Sequence, residues 1–383
     1  MRMRTCLAAG GTMLAASLGL LSAAAPASAG TASPVVGYTY LDGNTAGSNT
    51  IDAFARHADG SVTTLPGSPF AAGGAGTGAG LASQGAIQVT RDRRFLLAVD
   101  AGSSQVSVLR LTAGGVPVLA GRPVSSGGSQ PVSVAVSGSG LVYVANSGAG
   151  DSSYAGFRLS PFGTLTPVPG SVVPVPGTSG LGDVFFNPLG DRVIGTRTGT
   201  SQIDSFLVLP GGRLVAAPGS PTPGQGLGQL GAEFSPAHPF QLFVSNAHNG
   251  PGLGTVSAYR DGLLGHLTPV GASPVPDGQT APCWVEISHD GRYLFTVNTG
   301  SSSISSYAVS PGGALTLIGS TPIRNGGGDI DARLSPDGRT LSVDGSAAHI
   351  LSVFAVAGGH LTEVPSSPTP LPAGSTPSGL ATT

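Results

Sequence analysis

The stretch that decides the fold is Trp284–Ser320, which reads WVEISHDGRYLFTVNTGSSSISSYAVSPGGALTLIGS. β-Branched and aromatic residues predict four short strands, and Gly, Pro, Asp and Ser fill the intervals between them. The expected strands are Trp284–Ser288, Tyr293–Asn298, Ile304–Val309 and Ala314–Ile318. A four-stranded meander cannot bury its apolar faces by itself, so this unit requires copies.

The copies occur along the whole chain. Ser288 opens the turn that follows the first strand, and the same place recurs at intervals of 47 to 53 residues. The equivalent residues are Thr90, Ser137, Asn187, Ser235, Ser288 and Ser335. A second landmark, Gly-x-Leu/Val at the fourth strand, falls at Gly60, Gly114, Gly163, Gly212, Gly265, Gly313 and Gly359. A fixed repeat with four strands in each unit predicts an all-β fold, the β-propeller.

The two ends of the chain indicate how the ring closes. Val35–Tyr40 resembles a second strand with no first strand before it, whereas Pro377–Thr383 aligns with the first strand that Pro282–Ser288 begins. We therefore expect the C-terminal strand to complete the N-terminal blade, which removes free sheet edges and gives seven blades. The segment Ala71–Gly85, rich in Gly and Ala, lies outside the repeats and is expected to be a mobile rim loop.

The first residues have the pattern of a secretory signal. Arg2 and Arg4 precede an apolar run, and Ala27-Ser28-Ala29 is a small-residue cleavage site. We expect residues 1–29 to be a cleaved signal peptide and residues 30–383 to be a single, secreted propeller domain. Only 9% of residues are charged, and the expected mature chain carries 15 Arg against 19 acidic residues. This balance argues against nucleic-acid binding, and no mature segment could span a membrane.

Candidate site residues come from the first strands, which line the central channel of a propeller. Side chains alternate between two faces of each first strand, and one of the two alternating sets is apolar. We expect this set to pack between blades. The other alternating set faces the channel and contains Glu233, Glu286 and Arg333. Asp183, Asp329 and Asp331 lie nearer the channel mouth, on the side of the loops between second and third strands. Such a cluster is suited to binding a cation or polar ligand, or to acid–base chemistry, although a solvated, salt-bridged wall has the same composition.

Two further residues are candidates at the same mouth. Trp284 is a possible stacking platform for a ligand. Arg197 replaces the Asn or Asp that ends most second strands, where those side chains cap the following loop. No metal-ligand motif or cofactor motif is recognised, so neither a metal nor a cofactor is expected.

The repeats SPDGRTLSVDGSAAHILSVFAV and SHDGRYLFTVNTGSSSISSYAVSPGGALTLIG are similar to those of the seven-bladed lactonase-like propellers. That family includes 6-phosphogluconolactonases and carboxymuconate cyclases, and its repeats resemble those of YVTN surface proteins. The resemblance implies a His, with Arg and Glu, at the channel mouth. The His is expected after a Pro at the start of a first strand, where this chain has Ser133, Trp284 and Gly379.

Two functions follow from these patterns. The first is a secreted propeller, expected to be monomeric, that binds a small molecule or an extracellular protein at the loop face over the channel. The second is a secreted lactone hydrolase or cyclase in which Glu286, Arg333 and Glu233 are catalytic, while Trp284, Asp331, Asp183, Arg197 and Asp329 bind the ligand. Whether the protein is an enzyme stays open at this level, because no blade has the expected His.

Overall fold

The computed structural model describes residues 33–177 and 180–383, apart from the side chain of Asp329. The predicted signal peptide lies outside these residues. Residues Pro34–Thr383 form one compact unit. This part of the chain contains seven antiparallel sheets and no α-helix, which confirms the all-β, seven-bladed propeller. Each blade has four strands, and the outermost strand is interrupted in six of the seven.

The strands of the first three blades follow one another along the chain. Blade one contains β1 (Val35–Asp42), β2 (Thr50–His57), β3 (Val62–Thr64) and β4 (Phe70–Ala71). Blade two contains β5 (Ile87–Val89), β6 (Phe95–Asp100), β7 (Gln105–Leu111), β8 (Pro117–Leu119) and β9 (Val124–Ser125). Blade three contains β10 (Pro131–Val136), β11 (Leu141–Asn146), β12 (Ser153–Leu159), β13 (Leu165–Pro167) and β14 (Val173–Pro174).

The last four blades repeat this order. Blade four contains β15 (Leu181–Phe186), β16 (Arg192–Arg197), β17 (Gln202–Val208), β18 (Leu214–Ala216) and β19 (Thr222–Pro223). Blade five contains β20 (Gln229–Phe234), β21 (Gln241–Asn246), β22 (Thr255–Asp261), β23 (Leu267–Pro269) and β24 (Val275–Pro276). Blade six contains β25 (Pro282–Ile287), β26 (Tyr293–Asn298), β27 (Ser303–Val309) and β28 (Leu315–Pro322). Blade seven contains β29 (Asp329–Leu334), β30 (Thr340–Gly345), β31 (Ile350–Ala357), β32 (His360–Glu363) and β33 (Thr369–Pro370).

The C-terminal strand closes the ring as expected. β34 (Leu380–Thr382) pairs antiparallel with β1, with Ala381 opposite Tyr40. It is the innermost strand of blade one, so the first blade is built from both ends of the chain. Leu380 is fully buried in a cluster with Leu41, Phe54 and Leu351.

The core lies between neighbouring blades. Three residues before each landmark the apolar side chain is buried, at Ile87, Val134, Val184, Ala232, Val285 and Ala332. One residue before the landmark, Val89 and Val136 are half-buried and the equivalent residues of the later blades are buried. A sheet buries such residues only when another sheet covers its face, so this pattern is the physical reason that the blades stack around an axis. The inter-blade packing predicted from the sequence is therefore confirmed.

Candidate functional site

The acidic side chains of the channel accept hydrogen bonds from backbone N–H groups of the neighbouring blades. Each first strand pairs with its own blade on one side only, which leaves N–H groups along its channel edge without a strand partner. From blade four onward, a carboxylate of one blade accepts a hydrogen bond from the first strand of the next. The pairs are Asp183 Oδ2 with Ala232 N (3.1 Å), Glu233 Oε2 with Ile287 N (3.0 Å), Glu286 Oε1 with Leu334 N (2.8 Å) and Asp331 Oδ2 with Leu380 N (2.6 Å).

Arg333 brings two of these carboxylates together. Its Nη1 donates to Glu286 Oε2 at 3.0 Å and lies 3.7 Å from Glu233 Oε1. The two glutamates therefore use one oxygen for the neighbouring blade and direct the other towards the same cation. The Nε and Nη2 groups of Arg333 donate no hydrogen bond to any residue that the structure describes, and the side chain keeps 17% of its surface exposed.

Burial controls the proton affinities of the cluster. It raises the pKa of Glu233 well above the ordinary value, and the neighbouring Glu286 raises it further. Burial also raises the pKa of Glu286, although Arg333 opposes this rise. The pKa of Asp183 is raised to about 7 by burial. The pKa of Arg333 is raised because four carboxyl groups surround it and outweigh the cost of its burial.

The three predicted catalytic residues, Glu233, Glu286 and Arg333, line one cavity of about 330 Å³. The cavity also contacts the ends of the first strands and the turns that follow them, including Arg93 and His289. It therefore opens where the first strands end. This position differs from the expected one, because the predicted mouth lay at the opposite end, where the first strands begin.

The loop face of the channel is closed by the segment that was expected to be mobile. Gln84 is buried, and its backbone N–H donates to Gly182 O at 2.8 Å. Its side-chain amide donates to Val285 O at 3.1 Å and accepts from Val285 N at 3.0 Å. Ser83 donates to Val132 O at 2.7 Å. The end of the linker, Ser83–Gln84, is therefore a plug that bonds to first strands of blades three, four and six, and the expected position on the rim is wrong for these residues.

The remaining predicted residues are not brought into the cavity. Trp284 is 1% exposed and packs in the core with Phe295 and Val297, so it offers no ring face for stacking at the surface. Arg197 forms a two-point ion pair with Asp204, at 2.7 and 2.5 Å, within blade four. Asp331 is fully buried and also accepts from the N–H of Ala332. The side chain of Asp329 lies outside the described part of the chain.

Sequence reasoning missed Arg93 and His289. Both lie in turns after first strands, which the parity argument did not cover. Arg93 stands three residues after Thr90 and His289 one residue after Ser288, so the repeat register could have placed them at the strand ends. His289 Nε2 lies 3.0 Å from Ser335 O, and this contact holds the ring beside blade seven.

Neither a metal site nor a membrane helix is found in the described ranges. Across residues 33–177 and 180–383, no three His, Cys, Asp or Glu side chains are grouped as a metal ion would require. Within the same residues, no helix has the length and apolar character needed to cross a membrane.

Comparisons with known proteins agree with this architecture. Residues 255–373 match the family described as "Lactonase, 7-bladed beta-propeller". No curated protein matches the chain. Three similar solved structures are a periplasmic gluconolactonase of Pseudomonas aeruginosa, a candidate 6-phosphogluconolactonase of Bacteroides uniformis and a protein of Lactobacillus plantarum.

These similarities are broad but distant in sequence. The Pseudomonas structure has a TM-score of 0.72 and 19% identity over 90% of this chain and 98% of its own. The Bacteroides structure has a TM-score of 0.71 and 19% identity, over 91% and 99% of the two chains. The values for the Lactobacillus structure are 0.73 and 18%, over 91% and 99%. The chain therefore has the fold of the seven-bladed lactonase-like propellers, and the resemblance predicted from its repeats is confirmed.

Proposed function

We propose that this protein is a secreted lactonase-like propeller that binds a small polar ligand in the cavity where the first strands end. The single observation that supports the proposal most strongly is that Arg333 has hydrogen-bond donors without a partner among the described residues. One nitrogen of its guanidinium is held by glutamate, while Nε and Nη2 have no partner among the described residues and the side chain lines the cavity. A positioned guanidinium recognises oxygen atoms of a carboxylate, hydroxyl or carbonyl group.

The size and the charges of the cavity support a small ligand. About 330 Å³ lies at the lower end of the range for small-molecule sites. The two glutamates are committed to backbone N–H groups and to Arg333, so the free donors come from Arg333 and Arg93, because the Nε2–H group of His289 already donates to Ser335 O. Such a site suits the oxygen-rich face of a sugar acid or of its lactone. Secretion is supported by the arginines and the small-residue cleavage pattern at the start of the sequence.

Lactone hydrolysis is the second candidate function. The specific support is the pair of Glu233 and Arg333, since Glu233 Oε1 lies 3.7 Å from the guanidinium and its pKa is raised by burial. A carboxylate with a raised pKa is a suitable general base for an attacking water, and Arg333 would stabilise the oxyanion that forms on the lactone carbonyl. Two structural neighbours, a gluconolactonase and a candidate 6-phosphogluconolactonase, favour the same reaction class.

One experiment separates the two functions. The purified protein is titrated calorimetrically with gluconate, and acid release from δ-gluconolactone is followed in a pH-stat, for the wild type and for Arg333→Gln and Glu233→Gln. Binding of gluconate that falls at least about tenfold in Arg333→Gln, without lactone turnover, supports the binding function. Turnover that is lost in both variants supports hydrolysis.

The control variant is Arg213→Gln, which removes an exposed arginine of blade four. It should bind and turn over as the wild type does. If Arg333→Gln remains folded, as judged by an unchanged circular dichroism spectrum, and binds gluconate and lactone as the wild type does, Arg333 does not recognise the ligand and the proposal is wrong.

A further inference from the structure

The turn after the first strand of blade two contains an unusual residue. Each such turn starts at the repeat residue that follows the first strand, which is Thr90 in blade two. The residue three positions later donates its N–H to the carbonyl of that repeat residue, and in four blades it is a Gly with φ between 69° and 78°. These glycines are Gly140, Gly190, Gly291 and Gly338. Blade two has Arg93 at this position, with φ of 58° and the same hydrogen bond to Thr90 O at 2.8 Å. A side chain in this left-handed region is strained, and such strain is commonly retained where the residue serves a function.

Arg93 belongs to a group of three exposed arginines. Arg91, Arg93 and Arg94 are all exposed, and none forms an ion pair within 4.0 Å of a carboxylate in the described part of the chain. The intervening Asp92 is turned into its own loop, where it accepts hydrogen bonds from Thr90 Oγ1 at 2.6 Å and Arg94 N at 3.2 Å. The turn therefore presents concentrated positive charge in a chain that is otherwise poor in charge.

The same turn separates two cavities. Arg93 lines the channel cavity that contains Arg333. Arg91 and Arg94 line a groove of about 460 Å³ between blades two and three. Asp92 also lines this groove, but two arginines stand against its one carboxylate, which already accepts two hydrogen bonds within the turn. Arg94 is fixed in place, because its Nη2 donates to Pro161 O at 3.0 Å and its guanidinium lies 5.3 Å from the centre of the Phe95 ring. The groove is thus bounded by Arg94, which bridges to Pro161, on one side and by blade three on the other.

We propose that the turn Thr90–Phe95 is an anion-binding subsite, and that it holds a linear oligoanion that extends from the channel cavity into the groove between blades two and three. Guanidinium groups bind carboxylate and phosphate through paired hydrogen bonds, so the ligand carries repeated carboxylate or phosphate groups. A single small anion could contact only one side of the turn, whereas an elongated ligand uses Arg93 on one side and Arg91 on the other. The inference goes beyond the proposed function: both use Arg93, but Arg91 and the groove between blades two and three lie outside the cavity that contains Arg333.

The test measures binding of two oligoanions by calorimetry at low ionic strength. The probes are a hexamer of galacturonic acid, which carries carboxylates, and a linear polyphosphate of similar length. The variants are Arg93→Gly, Arg91→Gln and the matched control Arg213→Gln, which removes one exposed arginine from blade four. Arg93→Gly restores the glycine that other blades have, so its melting temperature should equal or exceed that of the wild type, and a loss of binding cannot be attributed to unfolding.

The expected result is salt-dependent binding of at least one probe that weakens about tenfold in Arg93→Gly and in Arg91→Gln, because each loses a charge-assisted hydrogen bond. Arg213→Gln should stay within about twofold of the wild type. The probe that binds more tightly identifies the charged group. The proposal is overturned if the wild type binds neither probe, if Arg93→Gly and Arg91→Gln bind as the wild type does, or if Arg213→Gln weakens binding equally. Gluconate titration of Arg333→Gln is a separate readout, so each proposal can fail alone.

Discussion

The carboxylates of the channel act as hydrogen-bond acceptors for the first strands before they can act on a ligand. Asp183, Glu233, Glu286 and Asp331 join consecutive blades in this way. Each is buried, so removal of one would leave a buried N–H group unpaired. At the scale of single residues, the carboxylates therefore stabilise the contacts between blades. Arg333 is the member of the cluster whose Nε and Nη2 groups are still available to donate hydrogen bonds to a ligand.

The stability of the protein should decrease as the pH rises, with Asp183 as one cause. Burial raises its pKa to about 7 from 3.8. The folded protein therefore retains a proton that the unfolded chain releases, so this contribution is complete below about pH 4 and is lost as the pH rises through about 7. Asp183→Asn should remove about 2–3 kcal/mol of the difference in unfolding free energy between about pH 5 and pH 8.

Urea denaturation of the wild type and of Asp183→Asn at both pH values measures this difference. Asparagine is a suitable replacement, because its amide can still accept from Ala232 N and donate to Ser133. An identical pH dependence in the two proteins would show that Asp183 has an ordinary pKa.

Sequence reasoning predicted part of this site. Glu233, Glu286 and Arg333 were found because charge is rare in the chain and the repeat register places them at one parity of successive first strands. Arg93 and His289 were missed because the alternation of side chains between two faces predicts orientation in strands, and both residues lie in turns. The burial of Trp284 and the pairing of Arg197 with Asp204 depend on neighbouring strands and neighbouring blades, and the parity of a single strand does not contain that information.

At the scale of elements, the linker between blades one and two determines which end of the channel is accessible. The repeats predicted the blades because each repeat folds into the same local structure. The linker lies outside the repeats, and the contact between Gln84 and Val285 joins residues 201 positions apart. Composition alone suggested a mobile Gly/Ala loop, and only the tertiary structure places Gln84 against the first strands.

Replacement of the plug side chain should be costly. Gln84→Ala would leave Val285 N–H and Val285 O without their partner, so we expect a loss of about 1–3 kcal/mol in unfolding free energy. The matched control is Gln88→Ala, a glutamine of β5 that lines the cavity and whose side chain has no hydrogen bond to a described residue. Urea denaturation should show a change of only a few tenths of a kcal/mol for the control. Equal stability of the two variants would contradict the plug.

At the scale of the whole molecule, the ring depends on the short strand β34. This strand was predicted from the missing first strand at one end of the sequence and the surplus strand at the other. It has only three residues, and its attachment relies on pairing with β1, on Asp331 and on the burial of Leu380. Closure joins the first and last blades, so weakening of this strand affects the entire domain and not blade one alone.

Leu380→Ala tests the closure. Removal of a fully buried leucine side chain should cost about 2–5 kcal/mol, and calorimetry should show a lower melting temperature for the whole domain in one transition. Leu263→Ala is the control, because Leu263 is 92% exposed and should tolerate the same change with little loss. A separate early transition in Leu380→Ala, with the remaining blades melting as in the wild type, would show that the ring does not unfold cooperatively.

The most direct test of the central claim is a crystal structure of the protein with gluconate, or with any small polar ligand that binds in solution. We expect the ligand to lie in the cavity where the first strands end, with its oxygen atoms within hydrogen-bond distance of Arg333 Nε and Nη2 and with Gln84 still closing the other end. A ligand bound at the loop face, over Gln84 and away from Arg333, would contradict the account.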